Sequence, residues 1–162
     1  MSIPASIEKF LTERGVPFQT LTHRKAYTAQ EEAAVAHVPG REWAKTVVCF
    51  ADDQPILAVL PALFNVDTER LQRLAGATKV RLATEKELAP IYADCEPGAM
   101  PPFGCLYGQR VFVDRSLASD PEIVFNAGTH VDAIRMRFDD FTKLTDPIVG
   151  DFGVRIQQPI VH

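Results

Sequence analysis

Two apolar, β-prone runs at residues 45–51 and 56–60 are separated only by Asp52-Asp53-Gln54-Pro55. So short a connection has no room for a crossover helix, and the pair predicts an antiparallel hairpin around which the rest of the chain must be arranged. Helical and extended patterns alternate on both sides of it. Ile7, Phe10 and Leu11 recur at helix spacing over 3–14, Gly15 is a stop, and 18–23 reads as a strand. Thr28-Ala29-Gln30-Glu31 has the form of a capping box, so a helix should run to about Val38 before Pro39-Gly40 ends it. Asp67 caps a helix carrying Leu71 and Leu74 that stops at Gly76, and Thr84-Glu85-Lys86-Glu87 opens another to about Tyr92. Prolines and glycines break regular structure over 94–104, the long loop of the chain. Strands follow at 110–114, 122–126 and 131–137, then a short helix at 139–144. Paired strands mixed with several helices predict an α+β fold, a mixed sheet flanked by helices, rather than a regular βαβ repeat.

At 162 residues and 46% hydrophobic, the chain is of a size for one domain with one core, taken here as 1–162. No apolar run approaches the roughly 20 residues that span a bilayer, and no basic segment precedes an apolar stretch at the N-terminus, so a cytoplasmic protein without a membrane partner is expected. Cys49, Cys95 and Cys105 are odd in number and widely spaced, which argues against a disulfide framework. Cys49, in Val47-Val48-Cys49-Phe50, reads as a small buried side chain rather than a nucleophile. His23, His37 and His162 share no metal-ligand spacing with each other or with a cysteine, so neither metal nor cofactor is expected. The net charge of −4 speaks against a broad phosphate-binding face. Any RNA contact must be local; Arg70, Arg73, Lys79 and Arg81, around a helix end and the following strand, are the candidates, with an ordinary solvated face as the alternative. Nothing in the chain resembles a nucleophile elbow, a phosphate-binding loop or a dinucleotide fingerprint.

Three segments carry the chemistry: Ala44-Lys45-Thr46-Val47-Val48, Gly98-Ala99-Met100-Pro101-Pro102-Phe103-Gly104 and Phe125-Asn126-Ala127-Gly128-Thr129-His130. Lys45 sits at the mouth of an apolar strand and shares a face with Val47 and Cys49, although a strand-end lysine often simply snorkels to water. The Gly/Pro loop can aim rigid backbone N–H groups at an oxyanion, or can simply be a turn. His130 ends a strand and could equally be a satisfied histidine. Asp114, closing Val111-Phe112-Val113, more often caps the following turn than reacts.

In order and spacing these segments resemble the YbaK family, free-standing relatives of the editing domain inserted in bacterial prolyl-tRNA synthetases. The likeness extends to Tyr27-Thr28-Ala29-Gln30-Glu31-Glu32-Ala33, Val59-Leu60-Pro61-Ala62 and Val111-Phe112-Val113-Asp114. It implies a curved mixed sheet flanked by helices and a trans-acting deacylase acting on the acceptor end of a mischarged aminoacyl-tRNA. The implied amino acid is small (Ala, Ser, Thr or Cys), most simply on tRNA for proline, and a synthetase is an implied partner. Lys45 becomes the residue editing most depends on, with Gly98 and His130 beside it. Thr46, Ala99, Met100, Pro101 and Gly128 border the aminoacyl pocket, Gly98 and Pro101 matching the family's Gly-x-x-Pro element. Departures near Thr46 and at 23–27 bear on specificity. An aminoacyl ester is already activated, so a positioned water, oxyanion donors and the substrate's own 2′-hydroxyl can suffice. The rival is a module that holds the aminoacyl end without hydrolysing it; regulatory nucleic-acid binding is disfavoured by the acidic balance.

Overall fold

The computed structural model describes residues 3–156, with side chains from residue 5. Its centre is the expected hairpin: β2 (Ala44–Ala51) pairs antiparallel with β3 (Gln54–Pro61) in register Lys45 to Leu60. The turn is tighter than the sequence suggests. Asp52 and Asp53 both adopt positive φ (48° and 68°), the two-residue geometry whose twist matches the flanking strands. Pro55 lies ahead of Leu57, where pairing with the next strand begins, so its missing N–H interrupts no ladder there.

The hairpin is the middle of a five-stranded mixed sheet in the order β5-β2-β3-β6-β9. Here β5 is Val80–Leu82, β6 Val111–Asp114 and β9 Ile148–Gly150; β6 runs parallel to both β3 and β9. A three-stranded antiparallel sheet joins β1 (Phe18–Thr22), β8 (Asp132–Arg137) and β7 (Glu122–Asn126), and a bridge from Trp43 to Val124 ties it to the start of β2. A ribbon of β4 (Phe64–Val66) and β10 (Gly153–Arg155) completes the strands. The expected mixed sheet is the five-stranded one, and the separate antiparallel sheet and strands β4, β9 and β10 are additions to the sequence reading.

Alternation along the hairpin separates two cores. Ala44, Val48, Leu57 and Val59 face one that also holds Ile123, Phe125, Ile134 and Met136 of the second sheet. Cys49, Ala51, Ile56, Ala58 and Leu60 face the other, with Leu71 and Phe152. Helix α1 (Ile3–Glu13) buries Ile7 and Leu11 in the first core, and α5 (Phe138–Thr145) adds Phe138 and Phe141. Helix α3 (Thr68–Ala75) covers the second; Asp67 accepts the N–H groups of Glu69 and Arg70 at 3.0 and 3.1 Å. Asp114 caps the turn after β6 through Ser116 N–H at 3.2 Å and also takes the N–H groups of Phe152 and Gly153.

Helix α2 (Ala29–Val35) opens on Thr28 as expected, but it stops three residues before Val38. His37 takes a left-handed conformation there, with His37 N–H on the Ala34 carbonyl and Val38 N–H on that of Ala33, a Schellman ending without glycine. In α4 (Glu85–Ile91) the Glu87 carboxylate reaches back to Thr84 N–H at 2.9 Å, the reciprocal half of a capping box.

Candidate active site

Glu96-Pro97-Gly98-Ala99 is a β-turn closed by Ala99 N–H on the Glu96 carbonyl at 3.0 Å. Proline in second place and Gly98 at φ +83° in third define type II, so the local sequence dictates the turn. A Cβ on Gly98 would lie 3.6 Å from His130 Cε1, an ordinary contact; what requires glycine is the backbone angle. Downstream the loop is anchored by burial. Met100 and Phe103 enter the first core, where the Phe103 ring meets Phe10, Phe125 and Phe141 at 5.6, 5.2 and 6.2 Å between centroids. Burying a side chain of this size contributes roughly 1.5–3 kcal/mol, enough to make the loop part of the core.

The tip of the β7–β8 hairpin docks on that turn. Gly128, at φ +95°, donates to the Ala99 carbonyl at 2.9 Å and accepts from Glu96 N–H at 2.8 Å. His130 N–H donates to Glu96 Oε1 at 2.7 Å, and His130 Nε2 lies 2.7 Å from the Pro97 carbonyl. The other ring nitrogen, Nδ1, is 3.4 Å from Oε2 of Glu32, a buried residue of α2. Asn126 Nδ2 donates to Glu32 Oε1 at 3.2 Å. Burial pushes the Glu32 carboxyl above the usual carboxylate range, against the opposing effect of the Asn126 bond. The exposed Tyr27 ring leans on the imidazole, 5.4 Å between centroids. Leu88, Tyr92, Cys95, Glu96, Pro97 and Met100 line a narrow crevice against the same turn. Among the described residues, the N–H groups of Gly98 and Met100 donate to no protein group.

Lys45 stands apart from this cluster. It shares its strand face with Val47 and Cys49, as expected, and Nζ donates to Asn65 Oδ1 of β4 at 3.3 Å. It is half-buried, and that desolvation alone lowers its pKa; among the described residues no carboxylate pairs with it. Thr46 points to the opposite face, the side of Ala44 and Val48, and its hydroxyl is buried without a partner among the described residues. The structure thus gathers Gly98, Ala99, Met100, Gly128 and His130 into one constellation, Pro101 following in the buried part of the loop, while no hydrogen bond between described residues joins Lys45 to it.

The basic candidates divide between two depressions. Arg70 and Arg73 line a groove with Arg115 and Asp151, whereas Lys79 and Arg81 line another with Phe50, Asp52 and Asp53. Arg81 is bidentate to Glu87 at 2.8 and 2.7 Å, and Arg70 is 3.6 Å from Asp67. Among the described residues no group of three His, Cys, Asp or Glu side chains could hold a metal ion, and no helix is long and apolar enough to cross a membrane. His162 lies outside them. The sequence reading assigned no role to Glu32, Glu96, Pro97 or Asn126. Pro97 carried a local signal in its Pro-Gly dipeptide, while Asn126 and Glu32 lay inside quoted segments without being singled out.

The site thus has two parts, a rigid turn locked to a hairpin tip and a half-buried lysine that no hydrogen bond between described residues ties to it. The chain matches the model of the aminoacyl-tRNA editing domain over residues 23–144 and belongs to that family. It is 31% identical over 135 residues to a proline–tRNA ligase of Anaeromyxobacter sp. (strain K), covering 82% of this chain and 21% of that protein. A second ligase, from Anaeromyxobacter dehalogenans (strain 2CP-C), is 31% identical over 138 residues, covering 83% and 22%. The chain therefore spans about a fifth of the length of these relatives. In fold it is similar to a proposed trans-editing enzyme for prolyl tRNA synthetase, with TM-score 0.83 at 21% identity, covering 95% of this chain and 98% of that one.

Proposed function

We propose that this chain, as a single editing unit over 1–162, is a trans-acting deacylase that hydrolyses the ester of a small mischarged amino acid, Ala, Ser, Thr or Cys, on tRNA for proline. The observation that carries this reading is the type II turn at Gly98, fixed on both sides, with the N–H groups of Gly98 and Met100 unclaimed among the described residues. Those are the donors an oxyanion needs, held before substrate arrives. Water adds to the ester carbonyl carbon, and the developing oxyanion is met by the turn. The bond to the ribose 3′-oxygen then breaks, and the proton lost by the water passes to that oxygen with the 2′-hydroxyl assisting.

Lys45 supplies the charge that receives the acceptor end, and with no carboxylate partner among the described residues that charge is available. The unpartnered Thr46 hydroxyl, with Ala99, Met100, Pro101 and Gly128, borders the amino-acid side chain. Discrimination by size is needed because a synthetic site separates small side chains by only 1–3 kcal/mol per methylene. The reading requires neither metal nor cofactor, places the protein in the cytoplasm and makes a prolyl-tRNA synthetase the partner that supplies substrate. Incubation of the purified chain with a panel of labelled aminoacyl-tRNAs tests it. Release of one or more small amino acids from tRNA for proline is expected; binding without release from any of them would make the chain a non-hydrolytic module.

A further inference from the structure

Both ring nitrogens of His130 face oxygen. The Pro97 carbonyl, 2.7 Å from Nε2, can only accept, so Nε2 carries a proton. At Nδ1, 3.4 Å from Glu32 Oε2, two arrangements make a hydrogen bond: a second ring proton facing a carboxylate, or a bare nitrogen facing a protonated carboxyl. Either way the pair holds one proton more than a neutral imidazole beside an ionised glutamate. Without it a ring lone pair would oppose a carboxylate oxygen in a site where His130 is 5% and Glu32 1% exposed. Asn126 Nδ2 occupies the other glutamate oxygen and fixes which one meets the ring. Glu96 faces the cluster from the loop through its bond to His130 N–H, and Tyr27 and His23 face it from the segment before α2. Burial of Glu32 favours retention of the proton.

We propose that Glu32 is a positioning residue for deacylation. By sharing one proton with His130 it commits the Nε2–H to the Pro97 carbonyl, and so holds the Pro97-Gly98 turn at the angle its N–H donors require. The inference rests on the oxyanion role proposed for that turn. It removes His130 from consideration as general base, since no ring lone pair remains free to take a proton from water.

Ring-nitrogen NMR on the unmutated protein gives the first test, and it does not depend on activity: His130 Nε2 is protonated at neutral pH. A bare Nε2 with the proton on Nδ1 overturns the proposal. The second test compares two variants. In Glu32→Gln the amide can still accept from Asn126 and donate to a neutral Nδ1, so kcat stays within about threefold of the parent. Glu32→Ala cannot, and kcat falls on the order of 10- to 100-fold, as expected for a displaced reacting geometry, with faster hydrogen exchange at the Ala99 and Gly128 amides. Parental kcat in Glu32→Ala, or an equal loss in folded Glu32→Gln, sinks the idea. If Glu32→Ala does not fold, Glu32→Gln and the ring protonation decide. A parent protein that releases no amino acid refutes the deacylase reading alone, because ring protonation and amide exchange still report on the latch.

Discussion

The two halves of the candidate site are held in opposite ways. Around His130, turn, hairpin tip and α2 are tied together by backbone and side-chain bonds of 2.7–3.4 Å, and the imidazole is buried. At Lys45 a half-buried ammonium makes one bond of 3.3 Å and has no carboxylate partner among the described residues. The first half is already held in place in the free protein, and a ligand meets there donors that are positioned before it arrives, the N–H groups of Gly98 and Met100 that no described residue claims. The second carries an uncompensated desolvation penalty that an anionic group would relieve. Preorganised donors belong where charge develops during reaction, and an unpaired cation belongs where charge arrives with the substrate.

The largest test of this contrast is Lys45→Ala, which should lower deacylation on the order of 10³-fold while leaving the fold unharmed. The pH dependence has a definite sign. Because burial lowers the Lys45 pKa, the unfolded chain binds the extra proton between that lowered value and 10.5, so stability rises with pH through the window. Below it, where both states are charged, the burial penalty is fully present. Lys45→Met should therefore be at least as stable as the parent at pH 7 and should lose the rise at higher pH, as read by chemical denaturation. Activity should run the other way and decline as pH climbs through the lowered pKa. A clearly destabilised Lys45→Met variant would show that the lysine is structural.

Gly98→Ala strikes the preorganised half. The space exists, since the added Cβ meets His130 Cε1 at 3.6 Å, but φ +83° is strained for any residue with a side chain, by about 1–2 kcal/mol. The turn would relax and its N–H donors would rotate away, lowering kcat on the order of 10²-fold with little change in RNA affinity. Unaltered kcat would separate the turn from the chemistry.

How far each half could be read from sequence follows the same division. The hairpin, the Thr28 cap, the Thr84 capping box and the Asp67 cap depend on neighbours within a few residues, and each was legible, although at Thr28 the expected box forms only its N-cap half, Thr28 Oγ1 accepting Glu31 N–H. Strands β4, β9 and β10 have three residues apiece, too few for alternation to register, and β9 exists only because β6, far off in sequence, offers a parallel edge. Glu32 is the instructive omission. In Gln30-Glu31-Glu32 it is one of two acids in the first turn of a helix, and nothing local distinguishes it from Glu31, whose N–H bonds to Thr28. Only the docking of α2 against β7 and the hairpin tip sends one carboxyl into the interior and leaves the other at the surface. Lys45 was legible as a strand-mouth cation sharing a face with Val47 and Cys49, but its bond to β4 was not, because β4 itself was not.

A smaller effect is expected at the RNA-facing residues, and the structure sharpens it. Arg81 is already committed to Glu87, and its depression also holds Asp52 and Asp53, so little net charge is offered there. The groove of Arg70 and Arg73 includes Arg115 against a single acid, Asp151. Replacing Arg70 and Arg73 by Gln should weaken tRNA binding about tenfold and reduce the salt slope by roughly 1.5, two phosphate contacts' worth on a single strand. The Lys79/Arg81 pair should cost under about threefold by the same reasoning. The reverse ranking would move the acceptor end to the other depression.

The smallest effect belongs to the cysteines, and it decides whether the division of labour needs a third participant. A covalent route would require a thiolate near the turn. Burial pushes the Cys49 thiol up to about 12, and Cys95, which lines the crevice beside Pro97, up to about 11, with Cys105 raised as well. At neutral pH such groups are almost wholly protonated and poor nucleophiles. Cys49 also faces the second core, opposite the side that holds Met100 and Phe103. Cys49→Ala, Cys95→Ser and Cys105→Ser together should leave kcat within about twofold in any preparation that folds, and rapid quenching of the parent should trap no acyl-protein species. Substrate carrying a 2′-deoxy terminal ribose should, in contrast, be hydrolysed slowly by both proteins, because the assisting hydroxyl resides on the RNA. Full-speed hydrolysis of that substrate, or an acyl-cysteine captured from the parent, would place the reacting group on the protein and end the comparison drawn between its two halves.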